Sequence, residues 1–237
     1  MTVGWVMQDP VTLQKVNGHL RRLHQEGVKP AQRVRRHLGL VADTLRIIKP
    51  HAPVELTADE AWRQKIGDCS EGQKLLYEIS RRDRLDPILV EFTLDKSGGP
   101  FPEPHLGVGF RFDPKDDQKV TLVDATLGEA GFDVPYLGWY EIPKRVAVAY
   151  DALWSAVLTP AGLTPGAKER FRRDRLRRAL WLAPDNPHVR FNLGVYYREH
   201  RSWTEAEREF TETLRISPHY PDAAEELEAV LEMKGSR

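Results

Sequence analysis

The strand-forming pattern, apolar residues alternating with polar ones, occurs only in the middle of this chain, and helix-period patterns lie on both sides of it. Segments of period two run from Ile88 to Leu94, from His105 to Phe112 and from Gln118 to Asp124. A Gly- and Pro-rich stretch joins the first two, and the turn-forming segment Asp113–Asp117 joins the last two. The pattern predicts an α+β fold in which the last two strands form a hairpin.

Three regions follow from the changes of pattern: an N-terminal helical segment over 1–52, a mixed core over 53–158 and a helical segment over 159–237. In the first, helical spacing extends from Asp9 to Ile48, and Gly27–Pro30 divides it into two helices. In the core, Thr57–Glu60 has the form of a capping box that opens a short helix through Trp62. A longer helix is predicted from Cys69 to about Arg82.

Charge and cysteine usage exclude several classes of protein. The 237 residues contain 35 basic and 35 acidic side chains, so nothing global favours a nucleic-acid or membrane partner. The single cysteine forms no intramolecular disulfide, which favours a reducing compartment. With no signal-like or membrane-spanning apolar run and no phosphate-binding or zinc motif, we expect a soluble cytoplasmic protein without a cofactor or metal.

The C-terminal segment has the spacing of a 34-residue helix–turn–helix repeat. The positions that match are Leu193, Gly194, Tyr197, Ala206, Phe210 and Pro218. This spacing resembles the tetratricopeptide repeat, although Arg190 stands where such repeats usually have Trp. The resemblance implies a surface for a protein partner, and the alternative is an ordinary helical hairpin.

Three residues have the order and placement of a thiol catalytic site. Cys69 lies at a predicted helix N-terminus, where unpaired N–H groups and the helix dipole lower a thiol pKa. In a hairpin centred on Asp113–Asp117, facing residues have numbers that sum to about 229, which places His105 opposite Asp124. Gly107 and Gly109 share a face with His105 and leave room for the Cys69 helix. The site would combine a nucleophile, a base and a carboxylate that orients the base.

Each of these residues also has a structural interpretation when taken alone. Cys69 could be a small buried hydrophobe, His105 a satisfied histidine at a strand end, and Asp124 a turn or cap residue beside Thr126. Their occurrence together, in this order, favours the catalytic interpretation.

The segment from Leu56 to Thr126 resembles the transglutaminase-like superfamily. The resemblance rests on Gly67-Asp68-Cys69-Ser70-Glu71, on His105 at a strand start, and on Val123-Asp124-Ala125-Thr126. It implies a papain-like core, a helix bearing the cysteine against an antiparallel sheet, with Cys69 as nucleophile, His105 as base and Asp124 as orienter. The implied chemistry is acyl transfer on amides of a protein or peptide: hydrolysis, deamidation or crosslinking. The alternative is a scaffold whose core has lost activity.

Two departures from that family concern the substrate side of the site. Leu106 follows the histidine where the family often has an aromatic residue, and no upstream oxyanion donor is assigned, although Trp62 and Gln64 are suitably placed. The aromatic residues Trp62, Tyr136 and Trp139 could wall a peptide groove or belong to the core. The basic run Lys168–Arg178 predicts an amphipathic helix with a solvated arginine face, open to an anionic partner.

Overall fold

The structure, a computed structural model, describes residues 5–47, 56–67, 69–94, 97–98, 100–113, 115–116, 119–158, 160 and 162–235. For residues 46, 47, 66, 69, 100–104 and 129 it describes the backbone. These ranges combine helices with a four-stranded antiparallel sheet, so the predicted α+β class is confirmed. The chain divides into two compact units, Met1–Ala147 and Val148–Arg237. The boundaries predicted from the sequence, after residues 52 and 158, stay predictions.

Two capped helices open the first unit. Helix α1 (Pro10–Gln25) begins after Asp9, whose carboxylate accepts a 2.8 Å hydrogen bond from the backbone N–H of Thr12. Helix α2 (Pro30–Thr44) follows the predicted break. It ends before the predicted Ile48, because the backbone turns extended at Leu45 and strand β1 (Arg46–Ile47) pairs in parallel with strand β2 (Ile66–Gly67). Ile48 itself lies outside the described residues.

Two further helices lead to the centre of the unit. Helix α3 (Ala58–Gln64) has the predicted capping box between Thr57 and Glu60. Helix α4 has the predicted bounds, Cys69–Arg82. The helical spacing of Gly72, Leu76 and Ile79 predicts one buried face for α4, whereas the helix is buried on nearly every side. Several of its polar side chains are therefore buried as well: Glu71, Gln73, Lys74, Glu78 and Ser80.

The sheet has the strand order β5-β4-β3-β6, with every neighbouring pair antiparallel. Its strands are β3 (Ile88–Leu94), β4 (Pro100–Phe110), β5 (Thr121–Val123) and β6 (Gly138–Glu141). Strand β3 has its predicted bounds, but β4 begins earlier and ends earlier than predicted, and β5 is shorter. Strand β5 pairs only with residues 108–110 of β4, so the proline-rich first half of β4 has no β5 partner on that edge. The prolines are tolerated there because the N–H group that proline lacks is not needed for a ladder hydrogen bond on an unpaired edge.

The two faces of the sheet contact different apolar groups. Val108, Phe110 and Val123 belong to a core that includes Leu76 and Ile79 of α4. On the opposite face Phe92, Leu122 and Val134 form a second cluster, with Tyr136 and Trp139 packed against it. The 3₁₀ segment Ala125–Gly131 follows β5, and residues of α2 and α4 contact it. Helix α4 therefore lies between the N-terminal helices and the sheet.

The second unit is helical, as predicted for most of its length. Helix α5 (Lys144–Val157) contains the boundary between the units, and α6 (Pro165–Leu182), α7 (Pro187–Glu199), α8 (Trp203–Ile216) and α9 (Ala223–Gly235) follow. Leu193 and Phe210 are buried, whereas Tyr197 is half-buried. A Cβ on Gly194 would lie 2.7 Å from the Phe210 ring, so the small residue permits the close approach of α7 and α8.

The surface of α6 and the apolar content of the helices add two observations. Arg170, Arg177 and Arg178 are exposed, while the other arginines of α6 are half-buried. In the ranges that the structure describes, no helix combines the length and the apolar character that crossing a bilayer requires. The tetratricopeptide assignment of the second unit stays a prediction.

Candidate active site

Cys69 is the first residue of α4, and its side chain lies outside the described part of the structure, as does all of Asp68. The backbone that leads into α4 is closely packed. A Cβ on Gly67 would lie 2.6 Å from Cβ of Glu71, which explains the glycine before the helix. The buried Glu71 carboxylate accepts hydrogen bonds from Lys74 Nζ at 3.2 Å and from the backbone N–H of Leu56 at 3.4 Å. These bonds fix the first turn of the helix to the segment before α3.

His105 lies on β4 directly opposite Phe92 of β3. Its side chain is 19% exposed, and the ring lies 5.7 Å from the Phe92 ring and 6.4 Å from the Tyr136 ring. The Nε2 atom of His105 is 2.7 Å from Oδ2 of Asp124. The hydrogen bond predicted between these two residues is therefore present in the structure.

The Asp124 carboxylate is 1% exposed and accepts hydrogen bonds on both oxygens. Oδ2 accepts from His105 and, at 3.0 Å, from the hydroxyl of Tyr136. Oδ1 accepts from the Thr126 backbone N–H at 3.0 Å, the Thr126 hydroxyl at 2.6 Å and the Gln73 amide at 3.1 Å. A buried carboxylate with this many donors is held in one orientation.

These donors decide the ionisation of Asp124. Burial raises the pKa of its carboxyl, but the hydrogen bonds from His105 and Thr126 and the charge interaction with His105 outweigh burial, and the net pKa lies below the ordinary 3.8. Asp124 is therefore ionised at neutral pH and can only accept. It follows that Nε2 of His105 carries a proton and donates it to the carboxylate.

The predicted hairpin register is wrong by two residues. Facing residues of β4 and β5 have numbers that sum to 231, as in Val108 opposite Val123, whereas the sequence predicted about 229. Extending the observed register places Gly107, rather than His105, opposite Asp124. His105 still reaches Asp124 because a shift of two residues keeps side chains on the same face, and diagonal neighbours remain within reach.

The role predicted for the two glycines of β4 is also wrong. The Phe92 ring occupies the space beside Gly107, where a Cβ would lie 2.2 Å from that ring. Ile88 and Val120 occupy the space beside Gly109. The glycines therefore admit side chains of the sheet itself, and helix α4 packs against the opposite face through the core that contains Val108 and Phe110.

Gln73 is a site residue that the sequence pattern did not single out. It is fully buried on α4, one helical turn after Cys69, and its amide donates to Oδ1 of Asp124. Residues four apart share a helix face, so the spacing from Cys69 was the available signal. Thr126 and Tyr136 complete the set of donors to Asp124.

The weaker substrate-binding predictions separate into two groups. Tyr136 is half-buried and bonds to Asp124, and Trp139 is half-buried beside it in the apolar cluster of β3. Trp62 is 8% exposed within the core of the first unit, and Gln64 is exposed at the end of α3. Within the described residues, neither Trp62 nor Gln64 forms a hydrogen bond or ring contact with His105 or Asp124. In the same residues no three His, Cys, Asp or Glu side chains are arranged to hold a metal ion.

Comparisons with known proteins do not assign this chain to a family. No known protein family matches the sequence, and no curated protein matches it. Among solved structures, the chain is similar to menin, in a crystal structure that reveals menin's binding site for the Mixed Lineage Leukemia protein. The identity is 12% and the TM-score 0.49, over 94% of this chain and 65% of that one. The chain thus spans under two thirds of the menin chain's length, and this likeness does not bear on function.

Proposed function

We propose that this protein is a papain-like thiol enzyme that performs acyl transfer on an amide, with Cys69 as nucleophile, His105 as base and Asp124 as orienter. The observation that carries the proposal is the 2.7 Å hydrogen bond between His105 and a buried, ionised Asp124. A carboxylate held by donors on both oxygens fixes one ring nitrogen of a half-buried histidine, which is the arrangement that a catalytic base requires.

The tautomer of His105 follows from this bond. Since Nε2 donates its proton to Asp124, neutral His105 has its lone pair on Nδ1, and Nδ1 is the nitrogen that can take a proton from a thiol. As the imidazole becomes an imidazolium, the Asp124 carboxylate stabilises the new charge. Asp124 thus sets both the orientation and the tautomer of the ring.

Helix α4 supplies the link between Cys69 and this pair. Gln73 donates a hydrogen bond to Asp124, and Cys69 precedes Gln73 by four residues in the same helix, a spacing at which helical residues are neighbours. As the first residue of α4, Cys69 is also at the positive end of the helix dipole, which favours the thiolate. Both features support a nucleophile beside His105.

The proposed reaction has two halves. Nδ1 of His105 takes the thiol proton, the thiolate attacks the amide carbonyl, and the backbone N–H of Cys69 donates to the oxyanion. The intermediate collapses to a thioester as His105 returns the proton to the leaving amine. Water then attacks the thioester, His105 takes a proton from that water and passes it to the departing thiolate, and a carboxylic acid is released. We favour hydrolysis over crosslinking because nothing in the sequence indicates an amine site.

The test measures the reactivity of one thiol, since Cys69 is the only cysteine in the chain. We expect iodoacetamide to alkylate the wild-type protein at a rate that stays high below pH 8, because the thiol pKa is lowered from about 8.5. His105→Ala should move the rise in rate to higher pH, and His219→Ala, which changes an exposed histidine of the second unit, should not.

An unreactive thiol would contradict the proposal. If the wild-type rate rises only above pH 8 and His105→Ala leaves it unchanged, Cys69 is an inert thiol and the scaffold alternative is favoured. A peptide-based electrophilic probe provides the second readout, since acyl-transfer activity requires covalent labelling that Cys69→Ala abolishes.

A further inference from the structure

A surface groove of 850 Å³ in the first unit contains several positive charges, and its described lining includes neither His105 nor Asp124. Its described lining comes from three elements: α1, the end of α2, and α3 with the residue after it. Five of the lining residues are cations: Lys15, Arg21, Arg22, Arg63 and Lys65. All five are exposed, and within the described part of the chain none of them forms an ion pair. Against them, the described lining has two carboxylates, Asp9 and Asp43.

A buried chain of hydrogen bonds anchors one side of the groove. His19 lines the groove, and its Nε2 atom lies 3.0 Å from Nδ1 of His37, which is completely buried. Nε2 of His37 is in turn 2.9 Å from Oδ2 of the buried Asp83. Asp83 also accepts from His24 and Arg33. The chain fixes the His19 ring and leaves its Nδ1 atom as the hydrogen-bonding group for a ligand.

The charge state of His19 fits this role. Burial, and secondarily the charge of His37, lower the pKa of His19 to about 4, so the ring is neutral at pH 7. His19 therefore offers a directional hydrogen bond, while the surrounding lysine and arginine side chains supply the positive charge.

The dimensions indicate an extended ligand. The lining residues of α1 extend from Val11 to Arg22, a distance of roughly 16 Å at 1.5 Å per residue of helix. That length matches about five residues of an extended peptide. Three of the cations come from α1 and two from α3 and the residue after it, which suits a chain with several carboxylates better than a single phosphate.

Two features of the lining argue against a nucleic acid. Trp62 is the one Phe, Tyr or Trp of the described lining, and at 8% exposed it offers no open ring for a base to stack on. Asp9 and Asp43 repel the anionic groups of either ligand, but a peptide backbone has N–H groups from which they can accept hydrogen bonds, and a phosphodiester backbone has none.

From these observations we infer that the groove between α1, α2 and α3 binds an extended acidic peptide segment of a partner protein. The inference does not depend on the proposed catalytic function, because it uses none of Cys69, His105 and Asp124.

Fluorescence anisotropy with the full-length protein tests the inference. The probe is a fluorescein-labelled octapeptide of alternating Glu and Thr, a composition compatible with an extended chain. The double variant Lys15→Glu/Arg22→Glu reverses two cations on one face of α1, and we expect it to raise Kd about tenfold or more. The control Arg177→Glu/Arg178→Glu makes the same change in net charge on exposed arginines of α6 and should leave Kd within about twofold.

Two further arms make the result decisive. Iodoacetamide labelling of Cys69 and the circular dichroism spectrum should be unchanged in Lys15→Glu/Arg22→Glu, which would show that this variant folds. The charge-neutralising variant Lys15→Gln/Arg22→Gln should also lose affinity for the peptide, but by less. The inference is overturned if both charge-reversal variants lose affinity equally, if neither does, or if the peptide does not bind. It is also overturned if a single-stranded oligothymidine of eight nucleotides binds through the same cations more tightly than the peptide, or if inorganic phosphate displaces the peptide at micromolar concentration.

Discussion

Replacing Asp124 by Asn changes the carboxylate by one atom and should inactivate Cys69 without unfolding the protein. The Thr126 backbone N–H, 3.0 Å from Oδ1, is the donor that cannot rearrange, so the Asn carbonyl oxygen must take the Oδ1 position. The Asn amide then faces His105 and Tyr136. Tyr136 can reverse its hydroxyl, but His105 can accept only by moving its proton from Nε2 to Nδ1. The nitrogen needed for the thiol is then already protonated.

The expected magnitudes follow from this rearrangement. The loss of charge-assisted hydrogen bonds should lower the free energy of unfolding by about 1–3 kcal/mol. An unactivated thiol of pKa about 8.5 is only about 1% ionised at pH 6.5, so alkylation at that pH should fall by up to about a hundredfold. Any amide-hydrolase activity should fall further, by about 10⁴-fold, as expected for a histidine held in the wrong tautomer.

Two measurements and one matched variant decide the outcome. Nitrogen-15 NMR of the imidazole ring reports the tautomer of His105, and iodoacetamide kinetics report the thiol. Asp83→Asn is the control, because Asp83 is a second buried carboxylate in the same unit that binds His24 and His37 and does not contact His105. If Asp124→Asn keeps the proton on Nε2 and the wild-type alkylation rate, or if Asp83→Asn lowers that rate equally, Asp124 is not the orienter.

Two further predictions concern stability. The hydrogen bonds to Asp83 outweigh the effect of its burial and lower its pKa from 3.8 to about 2. Because the pKa is lower in the folded state than in the unfolded state, ionised Asp83 stabilises the fold by about 2 kcal/mol. This stabilisation is present above pH 4 and is lost as the pH falls towards 2. Urea unfolding followed by circular dichroism should therefore show Asp83→Asn destabilised by at least that amount at pH 6, with the difference narrowing below pH 4; a difference that does not depend on pH would contradict the assignment. In the second unit, Gly194→Ala should cost about 1–3 kcal/mol, because its Cβ would meet the buried Phe210 ring at 2.7 Å. Gly166→Ala, whose Cβ has no contact closer than 3.8 Å, should leave the melting temperature nearly unchanged, and equal effects at both positions would refute the close packing of α7 and α8.

The elements that the sequence predicted well depend on local signals. The bounds of α4 and β3, the capping box at Thr57 and the break at Gly27–Pro30 all arise from caps, turn residues and periodicity within one segment. Strands β1 and β2 have no such signal, because two residues cannot display a period and their pairing joins segments far apart in sequence. The burial of α4 on nearly every side was missed for the same reason: whether Gln73 and Lys74 are buried depends on elements that pack against α4 from elsewhere in the chain.

The pair His105 and Asp124 shows why part of a site can be predicted when its geometry is not. The register of β4 and β5 differs from the predicted one by two residues, yet the two side chains meet, because the side-chain period of a strand is two and an even shift preserves the face. An error of one residue would have placed them on opposite faces. What the sequence could not supply is the reason the contact is rigid: Thr126 and Tyr136 come from the chain after β5, and Gln73 comes from α4. The catalytic proposal therefore depends on hydrogen-bond donors that come from three parts of the chain and meet at one buried carboxylate. Asp124→Asn changes only that carboxylate, so it tests the proposal more sharply than removal of the thiol.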